Sequence, residues 1–153
     1  MEQMPILDFS KWYWWEKRSE FPGKTNPGVY AIAITEKDLD NGSFNWENVV
    51  YIGMSNSRKG LEDRWSFLVC AIKNKPNGHH SGGIRIYESR GHYKEWKRVK
   101  MFVAAHAVYC NPNKGDNRTP EDIRKKGKVS YLEFEALAQY KEKIGKEPEY
   151  NKR

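Results

Sequence analysis

Cysteine is nearly absent from this chain. Cys70 and Cys110 are the only two in 153 residues, and both sit inside apolar stretches. Neither a disulfide framework nor a zinc site is expected, and a reducing, cytoplasmic setting is. Long apolar runs are missing too, so no segment reads as a bilayer-spanning helix. Met1–Lys11 is acidic and interrupted by Pro5, which does not read as a signal peptide. There is no glycine-rich phosphate loop, no nucleophile elbow and no HExxH, so none of these three common catalytic signatures is available to explain the chain. Repeats, low-complexity tracts and linkers are also lacking, so residues 1–153 read as one domain with a single sizeable core.

What the chain does have is aromatic bulk and a localised charge. The hydrophobic fraction is only 38%, but 14% of residues are aromatic, and six tryptophans can fill a core with few side chains. The net charge is +7. Residues 54–100 hold eleven of the 27 Lys and Arg against four of the 20 Asp and Glu, so the rest of the chain balances. Basic charge focused on one segment points to a polyanion partner, with a merely solvated surface as the alternative.

The pattern of elements is α/β. Ile6–Gly23, with its Trp12-Tyr-Trp-Trp15 cluster, shows no clean period and is expected to lie over a sheet edge. Gly28–Thr35 reads as a buried strand, Asp38–Asn48 as a hairpin connection and Val49–Gly53 as the antiparallel return strand. Leu61, Trp65, Leu68 and Ile72 recur at helical spacing over Leu61–Lys73. Asn74–Gly83 is a loop in which His79 and His80 read as exposed polar residues, and Ile84–Ser89 begins a short helix or strand. Val99–Tyr109 is apolar enough for a third strand. Asn111–Lys128 is expected to hold two turns and a short helical piece beginning at Thr119-Pro-Glu-Asp122, and the last helix to run from about Val129 to Ile144, stopped by Gly145.

Two helical positions carry candidate chemistry. At about 100° per residue, Arg64 shares a side with Leu61, Leu68 and Ala71, either snorkelling from the core edge or reaching for a phosphate. In the last helix Phe134, Tyr140 and Ile144 fall within roughly 60° of Leu137 and define a core side. Glu133 lies about 40° from Leu137, whereas Glu135 and Gln139 point roughly the opposite way. A carboxylate on the core side must be paired, hydrogen-bonded or metal-bound. Alternatively, Ser130-Tyr-Leu-Glu133 is a capping box and Glu133 only ties off a helix start.

Taken in order, Gly28-Val-Tyr30, Tyr51-Ile-Gly53, Leu61-Glu-Asp-Arg64, Glu133 and Pro148-Glu-Tyr-Asn151 resemble the motifs of the GIY-YIG endonuclease superfamily. The resemblance covers about residues 26–152, with 1–25 as an aromatic N-terminal extension. It implies a small central antiparallel sheet of three strands flanked by helices, and hydrolysis of a DNA phosphodiester with one divalent ion, Mg²⁺ or Mn²⁺. Carried over, Glu133 would hold the metal, Arg64 would stabilise the pentacovalent transition state and Asn151 would brace the site. Of Tyr30 and Tyr51, one would activate the attacking water and the other would orient it; which does which stays open. The motif glycines would let the backbone turn and leave space for substrate. Arg58, Lys59, Lys73, Lys75 and Arg85 are candidate DNA-backbone contacts by position. Specificity is expected to be weak, or supplied by a homodimer or a protein partner. Met54 stands where many members carry a basic residue, Leu68 where some carry a histidine, and eighteen residues separate Glu133 from Asn151. A shorter interval would land on Gln139. The alternative reading is a catalytically silent nucleic-acid-binding domain of the same type.

Overall fold

The computed structural model describes residues 4–76, 78–113, 115 and 117–151. The outer bounds of the expected domain, at Met1 and Lys152–Arg153, lie outside the described residues, as do Asn77, Lys114 and Asp116 of the expected loops. The class is α+β. The elements are β1 (Tyr13–Trp14), a 3₁₀ turn (Trp15–Glu20), β2 (Gly28–Thr35), a 3₁₀ turn (Trp46–Asn48), β3 (Val49–Ser55), α1 (Gly60–Ile72), α2 (Ser81–Arg90), a 3₁₀ turn (Tyr93–Glu95), β4 (Lys100–Ala107), α3 (Pro120–Ile144) and a last 3₁₀ turn (Glu149–Asn151). The sheet is antiparallel with strand order β1-β4-β2-β3.

β2 is flanked on both sides, which explains its near-continuous apolar sequence. Val29, Ala31 and Ala33 face one layer, and Tyr30, Ile32 and Ile34 the other. On the first face α3 packs through Leu132, Ala136 and Tyr140, joined by Trp12. The small side chains of Ala31, Ala33 and Ala104 accommodate it there. On the second face α1 and α2 cover Tyr30, Ile32 and Tyr51 through Leu61, Trp65, Leu68 and Ile86.

The sheet has four strands where three were expected. The extra one, β1, is two residues long and pairs Tyr13 and Trp14 with Val103 and Phe102 at the β4 edge. A strand that short has no period to read. It does account for the aromatic cluster, because Trp12 enters the α3 layer while Trp15 stacks edge-on with Trp65 on the opposite face.

α3 also departs from expectation. The short helical piece and the last helix are one 25-residue element starting at Pro120. Its capping box is at Thr119: the Thr119 Oγ1 accepts from the Asp122 N–H at 3.1 Å, and Asp122 Oδ2 accepts from the Thr119 N–H at 2.9 Å. Gly127 does not interrupt it. Glu133 therefore lies deep inside a helix, and the reading that it caps a helix start is wrong. The buried stripe is Val129, Leu132, Ala136 and Tyr140 rather than one centred on Leu137, and Phe134 is 70% exposed. Glu133 stays on the flank of that stripe, half-buried.

Candidate active site

β2 and β3 place both motif tyrosines on the α1/α2 face. Tyr30 lies opposite Gly53 and Tyr51 opposite Ile32, so the rings meet diagonally with centroids 6.1 Å apart. Gly53 makes this possible. A Cβ there would stand 2.7 Å from Cζ and Oη of Tyr30 and 2.8 Å from Cε2 of Tyr51. Gly82, in the first turn of α2, closes on the other side, where a Cβ would come within 2.3 Å of Tyr51 Cε1. The expectation that the motif glycine turns the backbone and leaves substrate space is thus corrected at Gly53. β3 runs through it to Ser55, and the vacant Cβ position belongs to the tyrosine rings.

The two phenols differ in access. Tyr30 is fully buried, whereas Tyr51 retains 7% exposure and lines a 430 Å³ cleft with Arg64 and Glu133. Met54, Asn56, Asp63 and Phe67 stand in its walls, with Ser55 and Ser57. Arg64 reaches the cleft from α1, and its Nη1 donates to the His79 carbonyl at 3.1 Å, linking α1 to the loop that precedes α2. Glu133 arrives from α3, on the opposite layer, around the β3 edge. Four of the five sequence-selected site residues therefore converge, Tyr30 from directly behind Tyr51.

Asn151, the fifth, acts on the backbone. β3 is a sheet edge, and the Asn151 side chain occupies its outward groups: Oδ1 accepts from the Ile52 N–H at 2.9 Å, and Nδ2 donates to the Ile52 carbonyl at 2.8 Å. Ile52 is the residue between Tyr51 and Gly53. Gln139, the alternative to Glu133, bonds Glu135 at 3.0 Å beside Trp46 and is remote from the tyrosines.

One residue was misread from sequence. His80 is not an exposed loop residue. It is fully buried, caps α2 by accepting the Gly83 N–H on Nδ1 at 2.9 Å, and places Nε2 2.7 Å from Tyr30 Oη. A local signal lay in Gly82-Gly83, residues too small to fend off a neighbouring layer, but not in His80 itself. His79 is exposed as expected.

The candidate DNA contacts are scattered. Arg85 is engaged internally through Nε, which donates to the Tyr150 carbonyl at 2.6 Å. Lys73 lies 5.9 Å from the Tyr93 ring centroid. Arg58 and Lys59 are exposed in the turn before α1, where Lys59 borders a separate 540 Å³ groove behind that helix, and Lys75 is exposed.

Electrostatically the site favours neutral forms. Burial lifts Tyr30 well above 10, and the neighbouring Tyr51 adds to this while Arg64 opposes it. Burial also raises Tyr51, with Arg64 and Arg85 working against it and Glu133 with it. Glu133 is raised by burial and drawn back by Arg64. His80 falls to about 3 because it is buried and faces Arg64 and Arg85. Among the described residues no group of three or more His, Cys, Asp or Glu could form a metal cage. With Glu133 and Asp63 as the carboxylates of an open cleft, the site fits Mg²⁺ or Mn²⁺ only in the mode where most ligands are water and substrate phosphate.

Comparison with models of known families, with curated proteins and with solved structures gives no match for this chain. Among the described residues no helix is long and apolar enough to cross a membrane.

Proposed function

We propose that the chain is a metal-dependent DNA endonuclease of the GIY-YIG type. The observation that carries this reading is the meeting of Tyr51, Arg64 and Glu133, from β3, α1 and α3, in one cleft backed by Tyr30. These residues lie far apart in sequence and on both layers of the sheet, and packing alone gives no reason to gather a phenol, a guanidinium and a carboxylate there.

Arg64 is the cation placed to hold a non-bridging phosphate oxygen and to meet the charge that grows on it in the transition state. Its bond to the His79 carbonyl fixes the guanidinium, so little side-chain freedom is lost on binding. Glu133 would hold the divalent ion, which supplies charge neutralisation at the phosphate and the leaving oxygen. Tyr51, the tyrosine that reaches the cleft, is the one that contacts the attacking water; Tyr30 supports it from behind. Because burial holds Tyr51 as a neutral phenol, it orients water by hydrogen bonding in the resting site. Proton acceptance by it requires alkaline pH or added positive charge. Asn151 keeps the β3 backbone, and hence Tyr51, in register.

A silent nucleic-acid-binding domain is the second reading, favoured by Met54 in the cleft wall and by the lack of a three-ligand metal group among the described residues. Supercoiled plasmid incubated with and without Mg²⁺ or Mn²⁺ separates the two. Metal-dependent nicking that is abolished in Glu133→Ala and reduced in Tyr51→Phe supports the nuclease. Nicking that survives Glu133→Ala refutes the role given to that residue. Salt-sensitive DNA binding without cleavage favours the silent domain.

A further inference from the structure

We infer that His80 is a positioning residue that sets the direction of a buried hydrogen-bond chain running from α2 through Tyr30 to Tyr51. The argument starts from its capping role. Nδ1 accepts the Gly83 N–H at 2.9 Å, so that nitrogen carries no proton. A neutral imidazole has one N–H, which is therefore on Nε2, 2.7 Å from Tyr30 Oη. His80 donates, and the Tyr30 oxygen accepts.

The Tyr30 proton must then point elsewhere. Tyr30 is fully buried, so bulk water is not its partner. Arg64 bears on the same hydroxyl but is a donor only and cannot receive it. The remaining acceptor is the Tyr51 hydroxyl, whose ring lies alongside. Tyr51 thus receives a hydrogen bond on its inner side and keeps its own O–H for the cleft. With the opposite histidine tautomer, Tyr30 would donate to His80 and offer Tyr51 no donor.

The charged groups facing this chain come from every packed layer: Arg64 on α1, Arg85 on α2 and Glu133 on α3. The two guanidiniums oppose a second proton on His80, which keeps the imidazole in the form that can both cap and donate. The catalytic consequence rests on the nuclease reading. The direction of the chain is a property of the free protein and stands or falls separately.

Two measurements test it. In metal-free protein carrying ¹⁵N-histidine, the ring whose signals vanish in His80→Asn should show an unprotonated Nδ1 and a protonated Nε2, unchanged between about pH 7 and 5. A ring assigned to His80 with the proton on Nδ1, or with both nitrogens protonated at neutral pH, overturns the inference. Kinetically, His80→Asn retains an acceptor for the Gly83 N–H but cannot reach Tyr30, whereas His80→Gln carries an amide N–H toward it. The first should lower kcat about tenfold with KM unchanged, the loss expected for one hydrogen bond, and the second should recover most of that. Unchanged kcat in folded His80→Asn, or no recovery in folded His80→Gln, refutes the positioning role.

Discussion

Acid should weaken this fold through one buried ring. His80 has an ordinary pKa of 6.5 when exposed in the unfolded chain and about 3 in the folded one. Between those values the unfolded state binds a proton that the native state refuses, so stability rises with pH across the window. The His80 contribution is complete above pH 6.5 and is lost progressively as the pH falls toward 3. At pH 5 the unfolded ring is about 1.5 units below its pKa, and at about 1.36 kcal/mol per unit the loss is about 2 kcal/mol relative to neutrality. The cause is burial first, then Arg64 and Arg85. His106, also lowered by burial, acts in the same sense, and the raised carboxyl of Glu133 acts in the opposite one. Both remain in His80→Asn, so the difference between the two proteins isolates His80. Urea unfolding at pH 7 and pH 5 should show wild type losing about 2 kcal/mol more than the variant. Equal losses would refute the placement of a neutral, desolvated imidazole behind Tyr30.

Other outcomes follow from the same geometry. Gly53→Ala drives a methyl into two tyrosine rings and should cost about 1–3 kcal/mol, read as a lower urea midpoint together with loss of the His80 Nε2–H signature. An unchanged midpoint would contradict those ring contacts. Asn151→Ala removes both bonds to Ile52 and should cost about 1–2 kcal/mol while speeding hydrogen exchange at the Ile52 amide. Exchange as slow as in wild type would show that the side chain does not hold the edge. Metal-dependent nicking with its Glu133→Ala and Tyr51→Phe controls, and the His80 pair of variants, test the site itself.

The strands and α1 were legible because their signals are local. β2 is apolar at nearly every position because both of its faces and both of its edges are covered, and α1 carries its stripe at helical spacing. The convergence of Tyr51, Arg64 and Glu133 was reachable through ordered motifs: Tyr51 and Arg64 stand near a motif glycine and leucine, and Glu133 follows in order on the core side of the last helix. What escaped was set by distant neighbours. Phe134 was assigned to the core because the centre of the α3 stripe is fixed by where Ala31 and Ala33 leave room, which no helical wheel contains. The full length of α3 was missed because Gly127 and a run of four cations in 124–128 look like a break, yet a Thr119 cap well upstream sustains the helix. His80 escaped for a related reason. Nothing near it in sequence shows that Tyr30, fifty residues earlier, waits for a donor.

The tie between Asn151 and Ile52 joins residues 99 apart, and Glu133 must cross from the other layer to meet Arg64. Contacts of such span form late, after the loops they close have been ordered. During synthesis, then, a ribosome-bound chain that already displays both tyrosines and the arginine still lacks its carboxylate and the clip on its edge strand. The segment Glu149–Asn151, which clips the edge strand, is thus made only after Tyr30, Tyr51, Arg64 and Glu133, and the cleft takes its shape from the C-terminal side inward.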